Sequence, residues 1–90
     1  MRFDHIQTNK NEMKDIHEFF KGEMIAFGKW VSEKRKNEGK TLDELAKITG
    51  IDKSYIHRLE KGERTNPSFI TVYSLATALG KDIREIIKLA

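Results

Sequence analysis

Apolar residues recur along this chain at helical intervals, and glycines interrupt them at spaced points. Met13, Ile16, Phe19 and Phe20 predict a short amphipathic helix from about Asn11 that ends near Gly22. The residues before it show no period and read as a flexible arm. Met24, Phe27, Val31 and the aliphatic stem of Lys34 or Arg35 then share one face of a helix over 23–37, closed by Gly39. Trp30, at the edge of that stripe, is placed to pack on the helix before it or on a C-terminal one.

The next start is well specified. Thr41 is an N-cap and Glu44 completes a capping box, followed by Leu42, Leu45, Ala46, Ile48 and Thr49 as an inner face. Gly50 stops this helix, Ile51 follows as an apolar anchor, and Asp52 caps a helix over 53–61 whose Ile56 and Leu59 face inward. Two short helices around one sharp turn have the spacing of a helix-turn-helix. After Gly62 and the loop ERTNP, Pro67 suits the first position of a further helix with Asn66 as its cap. Phe69, Ile70, Val72, Tyr73, Leu75, Ala76 and Leu79 make that helix largely buried, ending at Gly80. A last helix over 82–89 carries Ile83, Ile86, Ile87 and Leu89, more apolar surface than one core-facing stripe needs. The chain divides into 1–22, an arm with a short helix, and 23–90, the helix-turn-helix domain.

Composition narrows the class. Ninety residues suffice for one modest core, and a single proline with abundant Leu, Ile, Lys and Glu favours helices over sheet. The absence of cysteine excludes disulfides and thiolate zinc sites and fits a reducing cytoplasm. No apolar run suits a membrane span, and the N-terminus lacks a signal-peptide core. A cytoplasmic, nucleoid-associated location without membrane contact is the expectation. His5, His17 and His57 show no metal-ligand spacing and no glycine-rich phosphate loop occurs, so no enzyme activity, cofactor or metal is expected.

The net charge of +3 says little, but its placement says more. Residues 1–22 balance four basic against four acidic side chains, so the excess lies in 23–90. On a helical wheel Lys53, Ser54, His57, Arg58 and Lys61 share an arc of roughly 140°, opposite Ile56 and Leu59. Cations and short polar donors suit the major groove, where Arg and Lys donate to guanine O6 and N7. Lys53, Ser54, His57 and Arg58 are therefore the candidate base contacts. Lys40, Thr41, Tyr55, Lys61, Arg64, Thr65 and Asn66 flank them as candidate phosphate contacts, aided by the amides of helix N-termini.

At these residues the segment GKTLDELAKITGIDKSYIHRLEKGERTNPSF resembles the phage-repressor and Cro class of DNA-binding domain, the xenobiotic-response-element family. Within it the chain, with KSYIHRLE and TNPS, is most similar to members with the pattern KSY(I/L)xxxE followed by TNPS. The likeness runs from about Phe27 to Ile87. Ala46, Gly50, Ile56 and Leu59 match the family's turn positions, Phe27, Gly28, Val31 and Arg35 its FGxxVxxxR pattern, and Glu60 and Gly62 its ExG. The resemblance implies an all-α fold, a lambda-repressor-like five-helix bundle, with the extra N-terminal helix outside the family pattern. It also implies an ion pair between Arg35 and Glu60, base contacts at Lys53, Ser54, His57 and Arg58, and phosphate contacts at Thr41, Arg64 and Thr65. Two departures stand out: Leu42 replaces a phosphate-clamping glutamine common in the family, and Lys40 replaces an apolar residue.

The leading expectation is a sequence-specific regulator, a repressor binding double-stranded DNA as a homodimer on a two-fold operator with half-sites about 34 Å apart. A protein antagonist is a possible partner. The alternative is an antitoxin or other protein-interaction module on the same fold, motivated by the surplus apolar residues near both ends.

Overall fold

One helix spans nearly a third of the chain. In the computed structural model, which describes residues 10–82 and residue 84, α1 runs unbroken over Lys10–Asn37, followed by α2 (Leu42–Thr49), α3 (Lys53–Glu60) and α4 (Phe69–Ala78). The described residues are all-α with no strand. The helix expected over 82–89 and the arm before Lys10 lie outside the described residues, apart from Asp82 and Arg84.

The stop expected at Gly22 is absent, and the extra N-terminal helix is the first half of α1. Glycine costs about 1 kcal/mol in a helix interior. Phase continuity offsets that, because Met13, Ile16 and Phe20 fall on the same stripe as Met24, Phe27 and Val31. Gly22 is also not among the glycines with positive φ, and no Ser, Thr, Asp or Asn follows directly to cap a new start. At the other end α1 does stop, with Lys40 N–H donating to Arg35 O and Gly39 N–H to Lys36 O, both at 3.0 Å.

Four helices contribute to one core. Val31, Leu45, Ile56, Leu59, Leu75 and Leu79 are fully buried, with Phe27, Val72 and Ala76 beside them. α1 packs on α3, and α2 packs on both α3 and α4. The α1–α3 crossing is close enough to demand glycine: a Cβ on Gly28 would sit 2.0 Å from the Leu59 carbonyl oxygen. Ile25 lies beside Gly62, so α1 runs back along α3 and its first turns project past α3's C-terminal end. Trp30 is half-buried, stacks on Phe27 at 5.9 Å between centroids, and carries the Lys81 ammonium 5.0 Å from its ring.

Three expectations need correction. Ile48 is 58% exposed, because Leu42, Leu45, Ala46 and Thr49 form the inward stripe of α2 and Ile48 lies on its flank. α4 is buried on one face only. Val72, Leu75, Ala76 and Leu79 point inward, while Phe69, Ile70 and Tyr73 are 60%, 71% and 48% exposed. The cap of α4 is Ser68, not Asn66, and Pro67 precedes it rather than opening the helix. Ser68 Oγ accepts from Thr71 N–H at 3.1 Å and lies 3.0 Å from Thr71 Oγ1, a second contact that Asn66 has no matching residue to make.

Candidate nucleic-acid interface

The turn between α2 and α3 is built from short-range bonds. Gly50 takes φ +75°, the left-handed region that a Cβ disfavours, and its N–H donates to Ala46 O at 2.8 Å. Thr49 Oγ1 donates to Leu45 O at 2.8 Å and accepts from Ile51 N–H at 3.2 Å, joining the last turn of α2 to the chain leaving it. Asp52 then caps α3, its carboxylate accepting from Tyr55 N–H at 3.2 Å. Ile56 and Leu59 anchor α3 in the core, and Ala46 is half-buried at the helix pair.

With its inner face committed, α3 presents Lys53, Ser54, His57, Arg58 and Lys61 to solvent, all exposed. Tyr55 is half-buried at the margin. In the following loop Arg64 and Asn66 are exposed and Thr65 is half-buried. These residues form one polar, cationic surface along α3 and beyond its C-terminal end.

The capping box expected at the start of α2 is formed. Thr41 Oγ1 accepts from Glu44 N–H at 3.0 Å and Glu44 Oε1 accepts from Thr41 N–H at 3.1 Å. The capping box thus occupies two of the four amides that lack intrahelical acceptors, leaving those of Leu42 and Asp43 as free first-turn donors. Lys40 Nζ is held by Glu38 Oε1 at 2.6 Å. Lys40, with Lys34 3.5 Å away, keeps the Glu38 carboxyl below its usual range.

Arg35 ties these parts together. Its Nε donates to Glu60 Oε2 at 2.8 Å and its Nη2 to Glu60 Oε1 at 3.0 Å, a two-pronged pair with side chains only 10% and 5% exposed. Nη1 donates to the Lys40 carbonyl at 2.9 Å. The Glu60 hydrogen bond raises the arginine's pKa against the opposing effect of burial. One planar group therefore connects the C-terminal end of α3 to the residue before the α2 cap. No buried side-chain polar atom lacks a partner among the described residues.

Asp43 is the residue that sequence reasoning missed. Its Oδ1 lies 3.1 Å from Lys53 Nζ, across the groove between the starts of α2 and α3. The only signal in sequence was an acidic residue in the first turn of α2, where it also complements the helix dipole. Both side chains are more than half exposed, so the pair is weak and readily exchanged.

No group of three His, Asp or Glu residues able to hold a metal occurs among the described residues, and no described helix is long and apolar enough to cross a membrane.

Comparison with known proteins agrees with this geometry. The Helix-turn-helix family model, of the Cro/C1 type, matches residues 31–86, more than half the chain. An uncharacterized HTH-type transcriptional regulator of Methanothermobacter thermautotrophicus is 42% identical over 52 residues, 58% of this chain and 74% of that protein. The uncharacterized HTH-type transcriptional regulator y4dJ of Sinorhizobium fredii is 40% identical over 53 residues, covering 59% of this chain and 68% of its own length. The HTH-type transcriptional regulator SinR of Bacillus subtilis is 30% identical over 60 residues, 67% of this chain and 54% of SinR. The chain thus spans about half the length of SinR. No solved structure matches significantly. The chain belongs to the Cro/C1-type helix-turn-helix family, a non-enzymatic family of DNA-binding transcriptional regulators.

Proposed function

We propose that this protein is a sequence-specific double-stranded DNA-binding repressor that acts as a dimer on a two-fold operator. The observation that carries the reading is the division of α3: Ile56 and Leu59 are fully buried while Lys53, Ser54, His57 and Arg58 stand exposed together. These four contact base edges in the major groove. Thr41, Tyr55, Lys61, Arg64, Thr65 and Asn66 hold phosphates on either side, and Lys40 joins them by leaving Glu38. Leu42 contributes its free amide where relatives of the resembled class carry a glutamine side chain. Lys53 must exchange Asp43 for a base to take part.

Selection of bound duplexes from a random library, followed by titration of Arg58→Ala against the winning site, tests this. A selected consensus with an affinity loss of about 1–3 kcal/mol for the variant is expected. Unchanged affinity would mean that α3 does not read the DNA.

A second reading, an antitoxin or a regulator controlled by a protein antagonist, is favoured by the exposed Phe69, Ile70 and Tyr73 face of α4. A stoichiometric partner co-purifying with the chain, lost on Ile70→Glu, would support it.

A further inference from the structure

The apolar stripe of α1 does not end where the core ends. Its downstream part, Phe27 and Val31, is buried, whereas the in-phase residues Met13, Ile16 and Phe20 are 43%, 45% and 56% exposed, with Phe19 beside them at 62%. Phe19 and Phe20 meet edge to face at 5.5 Å, so this surface is already organised on the isolated chain. All described side chains from Met13 to Glu23 are exposed. Three turns of a continuous helix thus extend past the bundle with an apolar face.

We propose that this face pairs with the same face of a second copy, the two α1 extensions crossing antiparallel about a two-fold axis between Ile16 and His17. Three observations converge on a second copy as occupant. Residues 1–22 carry equal numbers of basic and acidic side chains, so two copies approach without net repulsion. Met13, Ile16 and Phe20, with Phe19 at their edge, make one apolar face per chain that is self-complementary across a two-fold axis and, when paired, approaches the roughly 1,000 Å² that a specific interface needs.

Spacing is the third. From Gly28, where α1 crosses α3 at Leu59, to the middle of the 13–20 stretch is about 17 Å of helix. An antiparallel pair centred there sets the two crossing points about 34 Å apart, the repeat of one turn of B-DNA between half-sites. The paired helices would act as a ruler for the operator. This last point rests on the DNA-binding reading; the pairing itself does not.

Light scattering of the full chain without DNA tests the pairing. A dimer is expected, with Ile16→Glu and Phe20→Glu each weakening self-association at least tenfold while circular dichroism shows the helical content retained. Ile70→Glu, on the exposed face of α4, is expected to leave the dimer intact. A monomeric parent chain, as would follow if its own terminal residues or a different protein cover the face, overturns the proposal. A dimer that survives both α1 substitutions, or one broken by Ile70→Glu instead, does the same.

Selected DNA tests the ruler separately. Inverted half-sites one turn apart, with cooperative binding abolished by a five-base-pair insertion, support it; a dimer selecting half-sites at another spacing overturns the ruler. A dimer that selects no DNA refutes the DNA-binding reading and leaves the pairing standing. Phe20→Glu binding an isolated half-site as the parent does would uphold the reading whatever the assembly.

Discussion

Gly28→Ala sets two effects of opposite sign against each other. Glycine to alanine inside a helix is worth about 1 kcal/mol of stabilisation from propensity alone. At Gly28, however, the new Cβ would lie 2.0 Å from the Leu59 carbonyl oxygen and 2.9 Å from its carbonyl carbon, both backbone atoms of α3. A carbon approaches a carbonyl oxygen to about 3.3 Å, so α1 and α3 must separate by about 1.3 Å. A gap of that order forfeits roughly half of the dispersion energy across the seam. It also stretches the Arg35–Glu60 bonds from 2.8 and 3.0 Å past hydrogen-bonding range unless the side chains follow. Overpacking costs about 1–3 kcal/mol and a weakened charged hydrogen bond about 1.5 kcal/mol or more, so the clash outweighs propensity by about 2 kcal/mol. Urea unfolding followed by the fluorescence of Trp30, the single tryptophan, reads this directly. With a slope near 1 kcal/mol per molar, the midpoint is expected to fall by about 2 M. Gly22→Ala is the control: nothing lies within 4 Å of its Cβ, so the midpoint should rise. A Gly28→Ala protein as stable as the parent would refute the close crossing.

Further predictions concern the polar surface. Arg64→Ala should weaken binding to all sequences alike and reduce the slope of log affinity against log salt by about 1, measured by fluorescence anisotropy across salt concentrations. Asp43→Asn releases Lys53 and removes a negative charge from the surface proposed to face DNA, so affinity for the selected operator should rise, by about two- to fivefold given the small worth of exposed pairs. Thr49→Val removes both hydroxyl bonds of the turn and should cost about 1–2 kcal/mol in urea unfolding. Glu38 has its folded pKa lowered from 4.5 by Lys40, so its contribution to stability is present above 4.5 and lost as pH falls through the folded value. Carboxyl NMR should find its midpoint below 4.5, rising toward the ordinary range in Lys40→Ala and, on the proposed reading in which Lys40 moves to phosphate, on DNA binding.

What the residues alone disclosed in advance lies within a few positions along the chain, whereas the Arg35–Glu60 pair, 25 residues apart, was legible only through the family resemblance. The capping box of Thr41 and Glu44, the left-handed Gly50 and the Asp52 cap act within a few residues, so composition and spacing disclosed them. The exposed arc of α3 was legible for the same reason, since Ile56 and Leu59 define its inner side. Gly22 misled because a glycine ends a helix only when a capping pattern surrounds it, and here the apolar phase runs through. Burial of α4 was overread because Phe69, Ile70 and Tyr73 are apolar by type, while exposure depends on what packs against them. The Asp43–Lys53 contact and the need for glycine at 28 arise where two helices meet; nothing local signals the first, and the second is marked only by the place of Gly28 in the FGxxVxxxR pattern, without its reason.

Arg35 has a consequence for the kind of duplex the protein accepts. Because one guanidinium grips both Glu60 at the end of α3 and the Lys40 carbonyl before α2, the reach from the α2 amides to the tip of α3 is a fixed length. On the DNA-binding reading, that fixed separation makes α3 and the α2 amides meet a duplex as one rigid unit. A B-form major groove admits an α-helix, whereas the deep, narrow major groove of A-form RNA does not. On the DNA-binding reading, double-stranded RNA is rejected by its calibre before any base is inspected.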